Sequence, residues 1–298
     1  MNFKLKLTDA QASALLDYYK EEDIDYNKPP MRAFIPKKDV TISLFNTNIV
    51  LFQGRHAEKE KLFWQDTFGI LDEDAVAPPQ QKTDYYKTSI GSDESGVGDY
   101  FGPLTVCAVY VKKTDKTFLE TLNIKDSKLL SDKQIKLIAP KLIKKFPYSL
   151  LVLANTKYNA LIEKGYNAHK LKAHLHAQCH AHVIKKIGDT PPIIIDQFCT
   201  EKNYLNYIQD FKTAPAPSIF LTKAESYFAS VAVASIIARY SFLTNLAKLE
   251  ETIDMPLPKG ASKIVDDAAR KILKEKGLTA LSKVAKLHFK TTEKIQSK

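Results

Sequence analysis

Asp93 and Glu94 stand side by side in "SIGSDESGVGDYFGPL" (89–104), after an apolar strand start and before glycines at 96, 98 and 102. Two adjacent like charges at the end of a strand are costly unless a cation joins them. Asp196 closes "PPIIID", a buried-type strand running straight into a carboxylate, and Glu225 opens the helical stretch "AESYFASVAVASIIARYSFLTNLAKLE". Catalytic side chains collect at the carboxyl ends of strands in α/β sheets, and a helix N-terminus favours an anion. Each acid has a plainer reading: Asp196 as a turn or capping residue, Glu225 as an ordinary first-turn acid. Four carboxylates from three elements of a basic chain nevertheless suggest a divalent metal site, because hard cations such as Mg²⁺ take oxygen ligands and share them with water and phosphate. Two such ions can activate a water and stabilise the leaving oxygen of a phosphodiester.

The elements that must position these acids alternate between strand and helix. "YYKTSIGSD" and "PLTVCAVYVKK" flank the glycine stretch as strands, and strand alternation sends Asp93 and Glu94 to opposite faces unless the glycines end the strand there. "SDKQIKLIAPKLIKKF" reads as an amphipathic helix capped by Ser131, "YSLLVLANT" as a strand, and "LIEKGYNAHKLKAHLHAQCHAHVIKKI" as helical over much of its length. Strands interleaved with helices predict a mixed α/β sheet with helices on its faces.

Residues 1–70 predict a separate small α+β unit. "FKLKL" alternates as a strand, Thr8 caps the helix "DAQASALLDYYKEE", "MRAFIP", "DVTISLFN" and "NIVLFQG" read as short strands, and "RHAEKEKLFWQDTFG" as a closing helix. The polar, Pro-containing stretch 71–87 reads as a linker, leaving 88–298 as the larger domain.

The 298 residues carry a net charge of +10, which suggests a polyanionic partner such as nucleic acid. Residues 1–72 hold ten Lys/Arg against eleven Asp/Glu, so the excess lies beyond them; 261–298 alone carry ten against four. No apolar run approaches the roughly 20 residues needed to span a bilayer, and "MNFKLKLTDAQ" lacks the features of a secretion signal. Three widely spaced cysteines, Cys107, Cys179 and Cys199, form neither a disulfide framework nor a zinc motif. A cytoplasmic protein, without a membrane partner, is expected.

"GSDESGVGDYFGPLTV", "IKDSKLLSD", "IIIDQF" and "KAESYFASVAVASIIARYSFL", in this order over 91–243, together resemble the type 2 ribonucleases H. The glutamate ahead of "ASIIAR" and the "DYFGPL" after the first motif resemble the ribonuclease HIII branch, and "LPKGAS" at 257–262 is similar to a further stretch of that family. The resemblance implies a ribonuclease H-like catalytic domain preceded by a small TATA-box-binding-protein-like domain that binds substrate. It implies endonucleolytic cleavage of the RNA strand of RNA/DNA hybrids by a two-metal-ion mechanism with Mg²⁺ or Mn²⁺; a monomer is expected. Asp93, Glu94, Asp196 and Glu225 would be the metal-binding, catalytic tetrad, and Glu225 lies ten residues before Ser235 of "ASII", as the family's fourth carboxylate does. Gly96, Val97 and Gly98 fall on the family's Gly-x-Gly substrate segment, and Lys128 on a lysine near the substrate phosphate. Where ribonuclease HII has arginine between the glycines, this chain has Val97, which argues against a ribonuclease HII-like action at single ribonucleotides in DNA. A non-catalytic hybrid-binding protein is the remaining alternative, and the acidic cluster argues against it.

Other residues carry plainer readings beside functional ones. Lys128 alone is an ordinary loop lysine, and Asp126 and Ser127 read as turn and cap residues. "NAHKLKAHLHAQCHAH" places His176 and His180 four apart on one helix face, but without the His-Glu-x-x-His pattern of a zinc site; side chains of this helix are expected near the active cleft. Lys37 and Lys38 sit at a predicted hairpin tip as phosphate contacts or as a solvated turn. Aromatics of the first unit, Tyr18, Tyr26 and Trp64 among them, are core residues or stacking platforms.

Overall fold

The computed structural model describes residues 2–70, 84–124, 130–209, 211 and 215–296. The chain divides into two compact units, Met1–Glu73 and Asp74–Lys298. Of the expected linker, residues 71–83 lie outside the described residues. Residues 84–87 pack with the second unit: the Ala229 amide donates to the Tyr85 carbonyl (2.8 Å), and Tyr85 and Tyr86 lie against its core.

The first unit is a four-stranded antiparallel sheet in the order β1-β4-β3-β2, with β1 Asn2–Lys6, β2 Met31–Lys37, β3 Val40–Phe45 and β4 Ile49–Gly54. Strand alternation turns Leu5, Ile35, Ile42, Leu44, Val50 and Phe52 to one buried face. That face packs with residues of α1 (Asp9–Tyr18) and α2 (Ala57–Phe68), Leu15 and Trp64 included. Thr8 caps α1 reciprocally with Gln11, as its sequence predicts, and Gly69 ends α2 in the left-handed region at φ 62°.

The second unit is built on a five-stranded sheet ordered β7-β6-β5-β8-β9: β5 Ser89–Ser95, β6 Leu104–Val111, β7 Tyr148–Leu153, β8 Ile193–Asp196 and β9 Ile219–Leu221. Neighbours β5–β6 and β6–β7 are antiparallel; β5–β8 and β8–β9 are parallel. Every residue of β6 is buried because both faces are covered. Cys107, Val109 and Val111 face the core that includes α8 (Ala229–Ile253), whereas Val106, Ala108 and Tyr110 pack with Cys179 and Val183 of α6 (Ala168–Ile187).

Helices α3 (Lys116–Thr121), α4 (Asp132–Lys145, capped by Ser131), α5 (Asn155–Glu163), α7 (Glu201–Ile208), α9 (Lys263–Val284, broken at Gly277) and α10 (Lys290–Gln296) complete the unit. The stretch 161–187, expected to be helical over much of its length, is shared between the end of α5 and α6, because Gly165 adopts φ 86° and Asn167 caps the chain into α6.

Two expectations need correction here. The long helix starts at Ala229, not at residue 224, so Glu225 sits in a one-turn 3-10 helix, Ala224–Ser226, ahead of it. That 25-residue helix is also long and apolar enough, by length and composition, to cross a membrane, contrary to the reading that no run qualifies. Yet 72% of its apolar window is buried inside the fold, which is how the core helix of a globular unit behaves.

Candidate active site

The parallel pairing of β5 with β8 brings the first two acids together. Ile90, Gly91 and Ser92 register against Ile193, Ile194 and Ile195, so the next residues come side by side on one face, Asp196 at the end of β8 and Asp93 two residues before the end of β5. Gly91 lets α8 lie directly over this edge: a Cβ there would sit 2.3 Å from the Val231 nitrogen and 2.4 Å from the Ser230 carbonyl carbon. The Ser89 and Ser230 hydroxyls meet at 2.8 Å across the same contact. The close approach carries Ser235 of α8 to hydrogen-bond Asp93.

Asp93 is consequently a stressed carboxylate. Burial first, then the charges of Asp196 and Glu94, push its pKa well above the usual range, against the opposing pull of the Glu94 amide and the Ser235 hydroxyl. The Glu94 amide donates to Asp93 Oδ1 at 2.7 Å. Asp196 Oδ1 accepts the Ala224 amide at 2.8 Å, which ties the turn bearing the buried Glu225 to the end of β8.

Glu94 points the other way, as the period of two dictates, because β5 continues through Ser95 before Gly96 turns it. Its Oε1 accepts from Lys172 Nζ at 3.0 Å and its Oε2 meets His176 Nε2 at 2.9 Å, both side chains of α6. Burial raises the Glu94 pKa, but Lys172 and His176 overcome it and bring it down to about 2. His176 Nδ1 and His180 Nε2 both meet Ser92 Oγ, at 2.8 and 2.7 Å. The histidine-rich helix therefore backs the acidic site. Lys172 and Ser92 were not singled out in the sequence, where only the i,i+4 histidines hinted at this face.

Among the described residues no three His, Cys, Asp or Glu side chains converge on one point as they stand. The fold brings Asp93 and Asp196 together and Glu225 next to them, while Glu94 is held on the opposite face. The donor set still fits a hard divalent cation: the acids supply only carboxylate oxygens, and a cation or a proton is what relieves the repulsion between Asp93 and Asp196.

The glycine segment divides into distinct roles. Gly96 has φ 91°, and a Cβ there would meet the Pro103 carbonyl oxygen at 2.2 Å and the Phe242 ring at 2.8 Å, so the fold itself requires glycine. Among the described residues, nothing lies within 4 Å of where a Cβ at Gly98 would sit. Val97 packs beside Leu104, Tyr158 and Leu171, pinning the loop to α5 and α6. The following residues are clamped by the C-terminal segment: the fully buried Lys286 donates from Nζ to the carbonyls of Asp99 (2.8 Å) and Gly102 (2.6 Å), and the Gly260 amide donates to Asp99 Oδ1 at 2.6 Å. Lys128, Asp126 and Ser127 lie outside the described residues. Lys37 is tied to the first unit by Glu60 (3.5 Å) and lies over the Tyr19 ring.

Comparison with known proteins agrees with this arrangement. The ribonuclease HII family matches residues 90–292, and a domain of unknown function (DUF3378) matches 2–68. Ribonuclease HIII of Bacillus subtilis is 43% identical over 274 residues, 86% of this chain and 84% of that protein. The chain belongs to the ribonuclease HIII family. Ribonuclease HIII of Lactococcus lactis is 40% identical over 296 residues, covering 99% of this chain and 98% of its own. The crystal structure of Bst-RNase HIII in complex with Mn²⁺ is 35% identical with a TM-score of 0.70, covering 100% of this chain and 98% of that one. Both halves of the expected fold class, the ribonuclease H-like sheet with flanking helices and the small N-terminal α+β unit, stand as read from the sequence.

Proposed function

We propose that this ribonuclease HIII family member hydrolyses the RNA strand of RNA/DNA hybrids endonucleolytically, with Mg²⁺ or Mn²⁺, leaving 5′-phosphate and 3′-hydroxyl ends. The observation that carries the proposal is the juxtaposition of Asp93 and Asp196, each the residue after the last registered pair of two parallel strands, under a helix that donates to one of them. Asp93, Glu94, Asp196 and Glu225 are the residues proposed to hold the ions. When bound, divalent ions supply the charge that activates a water and stabilises the departing 3′ oxygen. The carboxylates contribute fixed geometry and negative charge, and Ser235 and the Glu94 amide orient Asp93.

The loop Gly96–Gly98 is proposed to meet the hybrid, where the open side of Gly98 leaves room for a close sugar–phosphate backbone and for reading a 2′-hydroxyl. Lys128 is retained as a proposed phosphate contact. Packing of Val97 against an apolar cluster supports hybrids rather than single embedded ribonucleotides as substrate, since the side chain between the glycines is short, apolar and partly buried. The first unit is proposed to add hybrid affinity. The buried thiols of Cys107, Cys179 and Cys199, none of them in a disulfide, suit the proposed cytoplasmic setting, and the enzyme is proposed to act as a monomer.

The test is cleavage of an end-labelled RNA/DNA hybrid with and without Mg²⁺ or Mn²⁺, beside Asp93→Asn. Metal-dependent cutting at several positions, lost in the variant while hybrid binding persists, is expected. Cleavage retained by Asp93→Asn sinks the site assignment, and metal-indifferent binding without cleavage moves the protein to the binding class.

A further inference from the structure

Behind Glu94 lies a closed set of polar side chains that hybrid cleavage does not by itself require. His176 and His180 are fully buried on successive turns of α6, and both reach the single hydroxyl of Ser92. His176 continues to Glu94 Oε2 while Lys172, 5% exposed, takes Oε1. Both carboxylate oxygens are thus gripped from one helix. Phe198, two residues beyond Asp196, supports the grip: its ring lies 5.2 Å from that of His176 at 30°, and Lys172 Nζ sits 4.2 Å from its centre.

We propose that His180, Ser92 and His176 form a hydrogen-bonded chain that, with Lys172, positions Glu94 for divalent-ion binding. The inference rests on the reading of Glu94 as an active-site carboxylate and deepens it.

The contacts run without a break: His180 Nε2 meets Ser92 Oγ, Ser92 Oγ meets His176 Nδ1, and His176 Nε2 meets Glu94 Oε2. An ionised Glu94 only accepts, so His176 Nε2 donates to it. At the far end, His180 Nδ1 is a buried nitrogen without a hydrogen-bond partner among the described residues. Burial holds His180 in its neutral form.

A pair of buried imidazoles with one unsatisfied nitrogen is a poor device for stability, since apolar side chains of similar volume fill such a layer more favourably. It is a good device for fixing the tautomer and rotamer of the ring that touches a metal-binding carboxylate, and such outer partners tune affinity. Helical spacing makes it possible: Lys172, His176 and His180 recur every four residues on one face of α6.

The experiment is calorimetric Mn²⁺ titration of the full chain, beside steady-state hybrid cleavage, for His176→Ala, His176→Gln, Ser92→Ala and Glu94→Gln. His176→Ala and Ser92→Ala are expected to weaken Mn²⁺ binding and lower kcat by about 10–100-fold, with KM for the hybrid within about twofold. His176→Gln is expected to recover most of both, because its amide N–H can still donate to Glu94. Ser92→Ala removes only a hydroxyl and keeps the test open if a histidine variant does not fold. Unchanged Mn²⁺ affinity in His176→Ala or Ser92→Ala, with affinity lost in Glu94→Gln, overturns the hydrogen-bonded chain alone. Unchanged affinity in Glu94→Gln overturns the carboxylate assignment and the hydrogen-bonded chain with it.

Discussion

Asp93 and Glu94 are consecutive residues of one strand whose carboxylates face opposite layers of the protein. Asp93 turns to Ser235 of α8 and Glu94 to Lys172 and His176 of α6. The two acids therefore live in opposite electrostatic settings, one pushed toward its neutral form by burial and like charges, the other held ionised. A site of this kind stores repulsion that a bound cation removes.

That stored repulsion predicts a stability effect apart from catalysis. Without divalent ions, Asp93→Asn is expected to be more stable than the wild type, by on the order of 1–2 kcal/mol near neutral pH. Because the folded pKa of Asp93 lies above its unfolded value, the folded protein takes up a proton as pH falls, and the wild type gains stability. The advantage of the variant should shrink toward mildly acidic pH in parallel denaturant titrations. A gap that stays constant with pH argues that Asp93 is not strained.

The two glycines flanking Val97 should respond differently to alanine. Gly96→Ala must move Phe242 or the Pro103 carbonyl and adopt a positive φ, at a cost of about 1–3 kcal/mol in unfolding free energy. Gly98→Ala meets no atom of the described residues and should leave the melting temperature unchanged while raising KM for the hybrid several-fold. An unaltered KM in Gly98→Ala removes this residue from the substrate surface.

Val97→Arg installs the residue found at this point in ribonuclease HII. Here it would drive a charge against Leu104, Tyr158 and Leu171, with an expected destabilisation of about 2 kcal/mol or more. The variant should lose hybrid cleavage without gaining cleavage at a single embedded ribonucleotide. Gain of that activity would show that the surrounding loop, not the packing, sets specificity.

Lys286 makes stability depend on pH through the loop it clamps. Burial brings its amine from the ordinary 10.5 down to about 7, with the Asp99 charge partly opposing. Between these values the unfolded chain binds the extra proton, so stability should rise with pH from about 7 to 10, by at most about 1.4 kcal/mol per unit. Comparing wild type with Lys286→Met by denaturant unfolding across this window isolates the contribution. An identical slope in both excludes it.

The first unit has its own core, centred on Leu15, Phe52 and Trp64. Removing residues 2–70 should therefore leave kcat nearly intact and raise KM for the hybrid by about tenfold or more. An unchanged KM refutes a substrate-binding role for this unit.

Much of the architecture was legible because it is written in short-range chemistry. Thr8 and Ser131 mark helix starts, the alternation of the first unit marks its strands, and the motifs around Asp93 and Asp196 mark strand ends. Glu225 was read as the first acid of a long helix because nothing local distinguishes a one-turn 3-10 helix from the helix that follows; the positive φ of Lys223 and the bond from Ala224 to Asp196 decide it.

The sequence by itself determined which carboxylates are present, that Asp196 closes a strand, and that period-two alternation parts Asp93 from Glu94 if the strand runs on through them. Only the tertiary structure decided their partners. Asp93 finds Asp196 through a parallel strand pairing that spans about a hundred residues, and Glu94 finds Lys172 and His176 because α6 packs on the opposite face of the sheet. The same holds for Val97 and Lys286, whose roles lie in the cluster and the carbonyls that surround them. Local spacing fixes which way a side chain points; what it meets there depends on segments far away in the chain, whose placement is set by burial of the whole core.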